Sequence, residues 1–82
     1  MGASKSVGGR PKKRSLTLKG HRTSVSLEDE FWAEFRAIAS RRAKPINVLA
    51  AEIDAARGLN VGLASSIRLF VLRDLKERLT AI

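Results

Sequence analysis

Arg22-Thr23-Ser24-Val25-Ser26-Leu27 alternates polar and apolar residues with period two, and Thr23 and Val25 are β-branched. That pattern reads as a short strand with one wet and one buried face. Thr23, Val25 and Leu27 point one way; Arg22, Ser24 and Ser26 point the other. The outward set is an arginine and two hydroxyls, all able to donate to phosphates or base edges. A helical pattern follows at once, with no further strand after it. One strand cannot make a sheet, so this one needs a partner, and the simplest partner is the same strand of a second copy. Upstream, Ser15-Leu16-Thr17-Leu18-Lys19 alternates as well. It fits a second strand, a continuation of the first, or extended coil. Gly20 is the only breaker between the two runs, so a hairpin through Lys19-Gly20-His21 and one continuous ribbon both stay open. The lone His21 reads as a contact or solvated residue, not a ligand or base.

The chain has 82 residues, no cysteine and one histidine. It has room for one small domain, without disulfides or thiolate metal sites. Its single histidine argues against zinc, and oligomerisation is the remaining common way to enlarge the core. No apolar run is long enough to cross a bilayer, and the basic start is not followed by the apolar segment of a signal peptide. A cytoplasmic protein without membrane contact is expected. The net charge of +8 is unevenly placed. Lys5, Arg10, Lys12, Lys13, Arg14, Lys19 and Arg22 lie before residue 23 with no acid among them, whereas the remainder is nearly neutral. The surplus abuts the strand and suggests a polyanion approached from that side. Residues 1–14, rich in Gly, Ser, Lys and Arg, read as a flexible basic arm. Its Lys12, Lys13 and Arg14 are candidate phosphate contacts.

Glu28-Asp29-Glu30 opens the first helix, where acids suit the positive end of the dipole. Either Ser26 with Asp29 forms a capping-box-like pair, or Glu28 is the flanking residue. Phe31, Phe35 and Ile38, with Trp32 and Ala39 beside them, form a core stripe reaching to about Arg42. Lys44 precedes a proline, and Pro45 suits the opening of a second helix from Ile46 to about Arg57. Its face is Ile46, Leu49, Ala50, Ile53 and Ala56. The free N–H groups at its start, next to Lys44 and Asn47, suit a phosphate. Gly58 reads as a C-cap. A third helix spans about Leu63 to Leu79, with apolar residues over more than half its circumference. Its mixed charges, Arg68, Arg73, Lys76 and Arg78 with Asp74 and Glu77, read as a solvated face.

The ordered combination resembles the ribbon-helix-helix DNA-binding proteins, of which Arc and the methionine repressor are familiar relatives. The residues that carry it are Arg22-Thr23-Ser24-Val25-Ser26-Leu27, the Phe31/Trp32/Phe35/Ile38 helix, a short turn, and a helix opening Pro45-Ile46-Asn47. His21 through Glu28 and Ser65-Ser66-Ile67-Arg68-Leu69-Phe70-Val71-Leu72 look like a bacterial branch with a third helix. The resemblance covers residues 15–79, leaving 80–82 as the C-terminal end. It implies a mainly α fold with one β-strand per chain, in an intertwined homodimer. Its core would hold Val25, Leu27, Phe31, Trp32, Phe35, Ile38, Leu49 and Ile53. Two strands, one per chain, would enter the major groove, with Arg22, Ser24 and Ser26 on bases. Lys44, Ile46 and Asn47 would hold a phosphate. Three departures stand out: Ala43-Lys44 lacks the glycine often found in the turn, Pro45 replaces a more usual Ser or Thr, and Thr23 is small for a core-facing position.

The expected function is therefore a sequence-preferring DNA-binding protein acting in transcription regulation, nucleoid-associated and without cofactor. The competing reading is an antitoxin-like module whose third helix binds a partner protein. An enzyme is not expected: there is no nucleophile–base pair, phosphate-cradling glycine loop or metal cluster in the sequence.

Overall fold

The computed structural model describes residues 9–81. The first eight residues of the expected arm lie outside the described residues. The arm's last three, Lys12, Lys13 and Arg14, are strand and not coil. Strand β1, Lys12–Leu18, pairs antiparallel with strand β2, His21–Leu27. Each chain therefore contributes two strands, which corrects the expectation of one and settles the open choice in favour of the hairpin. Its loop is Lys19-Gly20, with φ of 52° and 84°. Two successive residues at positive φ make the type I′ turn, whose twist matches that of the flanking strands. Gly20 takes this conformation freely, whereas Lys19 is strained in it.

Helix α1, Asp29–Arg41, begins one residue after Glu28, which caps it without a side-chain hydrogen bond. The capping-box alternative with Ser26 is therefore not used. At its other end, Lys44 N–H donates to the Ala39 carbonyl at 2.9 Å, and Ala43 turns left-handed at φ 55°. This six-to-one closure is the Schellman arrangement, made here without its usual glycine. Helix α2, Ile46–Ala56, starts after Pro45 as the proline dictates. It does not end on a glycine cap. Arg57 turns extended, and its guanidinium bonds Asp54 at 2.7 Å and the Val61 carbonyl at 2.8 Å. Helix α3, Leu63–Thr80, completes the fold.

The inner face of the hairpin lies on the helices. Leu16, Val25 and Leu27 are buried with Phe35, Ile38, Leu49, Ala50, Ile53, Ile67 and Val71. Phe35 stands edge-on to Phe70 with centroids 6.3 Å apart, the geometry that aromatic quadrupoles favour. Of the residues assigned to a dimer core, Val25, Leu27, Phe35, Ile38, Leu49 and Ile53 are buried within one chain, while Phe31 and Trp32 are half-buried at its margin. Helix α3 is what closes this core. Its Ile67 is fully buried, yet Leu72, Leu75 and Leu79 on another side are exposed. Thr23, expected on the buried face, is exposed over a cleft it shares with Leu18, Ala51 and Leu63. A threonine is too short to fill that space.

Candidate nucleic-acid interface

Directly opposed residues of an antiparallel pair project from the same face. The register pairs Thr17 with Arg22, Ser15 with Ser24, and Lys13 with Ser26. These six side chains form one outer row, all exposed, containing two cations, four hydroxyls and no acid. Arg22, Ser24 and Ser26 thus lie where the strand alternation put them. Lys13, Ser15 and Thr17 complete their face. Of these, Lys13 was expected as a phosphate contact, whereas Ser15 and Thr17 were missed as site residues. The alternation of residues 15–19 was the available signal.

Strand parity sends the neighbouring cations elsewhere. Lys12 and Arg14, both expected on phosphates, fall on the inner row and bind Asp29, Lys12 at 3.1 Å. Arg14 also donates to the Leu27 carbonyl at 3.2 Å and lies 5.5 Å from the Trp32 ring centroid. These contacts fasten β1 to the start of α1, while its Nε is buried with no partner among the described residues. Hydrogen bonds from Arg14 and then Lys12 hold the Asp29 carboxyl below the usual carboxylate range. Lys13, Lys19 and Arg22 have no acidic partner among the described residues.

The start of α2 lies at the outer edge of β1. Thr17 N–H donates to Asn47 Oδ1 at 3.0 Å. Thr17 therefore directs its N–H away from β2, which makes Thr17–Arg22 a non-hydrogen-bonded pair. By alternation the Ser15–Ser24 and Lys13–Ser26 pairs are of the same kind. Arg22, Ser24 and Ser26 consequently aim their backbone N–H and C=O groups at the free edge of β2. The Ser26 carbonyl accordingly accepts from Arg68 at 3.3 Å. Ile46 and Asn47, as the first residues of α2, have N–H groups with no intrahelical acceptor, and no side chain caps them. Lys44, the remaining expected phosphate contact, is held by Glu52 at 2.7 Å.

On the opposite side, charge is spent within the protein. Asp74, buried on α3, accepts from Arg41 at 3.1 Å, Arg42 at 2.9 Å and Arg78 at 2.8 Å. Glu34 takes Arg78 at 2.7 Å, and Glu28 takes Arg68 at 2.9 Å. Burial pushes the Asp74 carboxyl up, but hydrogen bonds from Arg78 and Arg42 outweigh it and leave its pKa below the ordinary value. The expected solvated charge mixture on α3 is thus, at Arg68, Asp74 and Arg78, a set of ties to α1. Arg36, Arg73 and Lys76 on the helices have no acidic partner among the described residues, but Glu30 and Glu77, likewise without a cationic partner among them, lie there too.

No group of three or more metal-ligating side chains occurs among the described residues, and no helix among them is long and apolar enough to cross a membrane. Neither the curated proteins nor the solved structures yield a match to the chain. The family model described as "Ribbon-helix-helix domain" matches residues 11–75, a span that runs from the start of β1 through most of α3. On this match, and with a strand leading into two successive helices over a shared core, this chain belongs to the ribbon-helix-helix domain family.

Proposed function

We propose that the protein is a dimeric, sequence-preferring DNA-binding regulator of transcription that acts at the nucleoid. One observation carries the reading. The outer face of the hairpin presents three cross-strand pairs of hydroxyls and uncommitted cations without a single acid. Such a face attracts phosphate and donates to base edges, and the major groove admits a ribbon of two strands, here one β2 from each copy. Arg22 is the strongest reader, because a guanidinium binds guanine O6 and N7 bidentately; serine discriminates less. Ile46 and Asn47 at the start of α2 hold a phosphate through backbone N–H groups.

The second copy joins at β2. Its edge offers the N–H and C=O groups of Arg22 and Ser24 and the N–H of Ser26, and an antiparallel β2–β2 pair centred on Ser24 satisfies them, the Ser26 carbonyl being shared with or released by Arg68. The two copies then place Arg22, Ser24 and Ser26 side by side at the centre of a four-stranded sheet.

Selection from randomised duplexes at two salt concentrations, with Arg22→Ala in parallel, tests the DNA reading. An enriched motif that Arg22→Ala abolishes supports it. Binding without enrichment and with steep salt dependence reduces the protein to a phosphate-driven binder. Absence of binding refutes the proposal. A protein that stays monomeric and folded at micromolar concentration refutes the dimer. The exposed Leu72, Leu75 and Leu79 on α3 favour a second reading, an antitoxin-like module that captures a protein partner. Leu72→Glu would then abolish capture while leaving the oligomeric state intact.

A further inference from the structure

We infer that β1 is a phosphate-gripping strand, so that each chain divides its DNA contacts between a base-reading strand, β2, and a backbone-holding strand, β1. The inference rests on the DNA reading and on the β2 pairing above. Neighbouring strands lie about 4.8 Å apart. In a β1–β2–β2–β1 sheet the inner strands therefore sit about 2.4 Å from the two-fold axis and the outer ones about 7 Å from it. The major groove is about 12 Å wide, so its walls stand about 6 Å from the same axis. Only the β2 pair fits inside. Both β1 strands lie over the rims, with Lys13, Ser15 and Thr17 turned towards the sugar–phosphate backbone. These residue types suit it: an unpaired ammonium and two exposed hydroxyls, on the same face as the readers.

The order of elements agrees. Moving outward from β2, β1 comes first and the start of α2 second, joined by the bond from Thr17 N–H to Asn47 Oδ1. The unbonded N–H groups of Ile46 and Asn47 thus continue the line of donors begun by Lys13, Ser15 and Thr17. Across half the sheet the donors change from base-seeking to phosphate-seeking.

The test is motif selection and salt titration with the full chain, comparing wild type, Lys13→Ala, and the combined Lys13→Ala/Ser15→Ala/Thr17→Ala variant. These side chains are exposed, and circular dichroism with sedimentation checks that the variants keep fold and assembly. The selected motif should be unchanged. The slope of log K against log salt should become shallower by about 2 for Lys13→Ala, one released contact per protomer, with affinity lowered at least about tenfold on every sequence. A changed motif in these variants would overturn the inference and show that one chain's hairpin enters the groove as the whole ribbon. Unchanged affinity and slope would also overturn it, by removing β1 from the contact. If wild type selects no motif and binds no duplex, the DNA reading itself falls and takes this inference with it.

Discussion

The hairpin face and the α1–α3 seam use the same residue types to opposite ends. At the seam, Arg41, Arg42 and Arg78 converge on one buried carboxylate, Asp74. On the hairpin, Arg22 and Lys13 stand among hydroxyls with no acid in the row. The charge at the seam is internal structure, whereas the charge on the ribbon is available to a partner. Lys12, Arg14 and Lys44 show that position along the chain does not decide which fate applies. All three were expected on phosphate, and all three have an acid in hand.

The contrast can be broken by exchange experiments. The largest effect is expected at Arg22. Arg22→Ala should cost about 1–3 kcal/mol per protomer at one motif position while leaving thermal stability unchanged, measured by competition binding and a melting curve. Asp74→Ala should do the reverse, leaving motif preference intact and lowering folding stability by about 2 kcal/mol in urea denaturation. That is less than the 3–5 kcal/mol for breaking a fully buried pair, because the three arginines keep 40–45% of their side chains in water. The same residue sets a pH limit. Its folded pKa lies below the ordinary aspartate value of about 3.9, so its contribution is complete above that pH and is lost as pH falls through the folded value. Acid unfolding of the wild type should therefore begin below about pH 4, and Asp74→Ala should flatten that limb. Ala43→Gly should raise stability by about 0.5–1 kcal/mol, since glycine relieves the left-handed strain at φ 55° but adds freedom to the unfolded chain. The smallest effect belongs to Lys44→Ala. With its ammonium occupied by Glu52, the salt slope of DNA binding should change by much less than for Lys13→Ala.

Much of this arrangement was legible in the sequence, because periodicity is local. The alternation at Arg22–Leu27 placed Arg22, Ser24 and Ser26 outward, and Phe35 and Ile38 are buried as their spacing required. Pro45 marked the start of α2. The second strand was undecided because its signal was a turn with lysine in a left-handed position, a conformation sequence rules assign to Gly, Asn or Asp. Arg14 was misplaced because a dense basic run resembles a tail, although once β1 is known, parity alone turns it inward. Asp74 was unreadable for a different reason. Its partners Arg41 and Arg42 lie more than thirty residues away, and a helix with mixed charges looks solvated until its neighbour is known.

The side chain of Asn47 has a consequence beyond fastening Thr17. A strand edge is a site for polymerisation, and a hairpin ordinarily has two such edges, enough to propagate a fibre. Here the amide oxygen occupies a donor on the outer edge of β1, and α2 stands alongside it. The edge of β2 carries the outward groups of Arg22 and Ser24 without such an asparagine. Strand addition at β1 would have to displace that asparagine, so the same side chain that fastens Thr17 also disfavours growth from this edge.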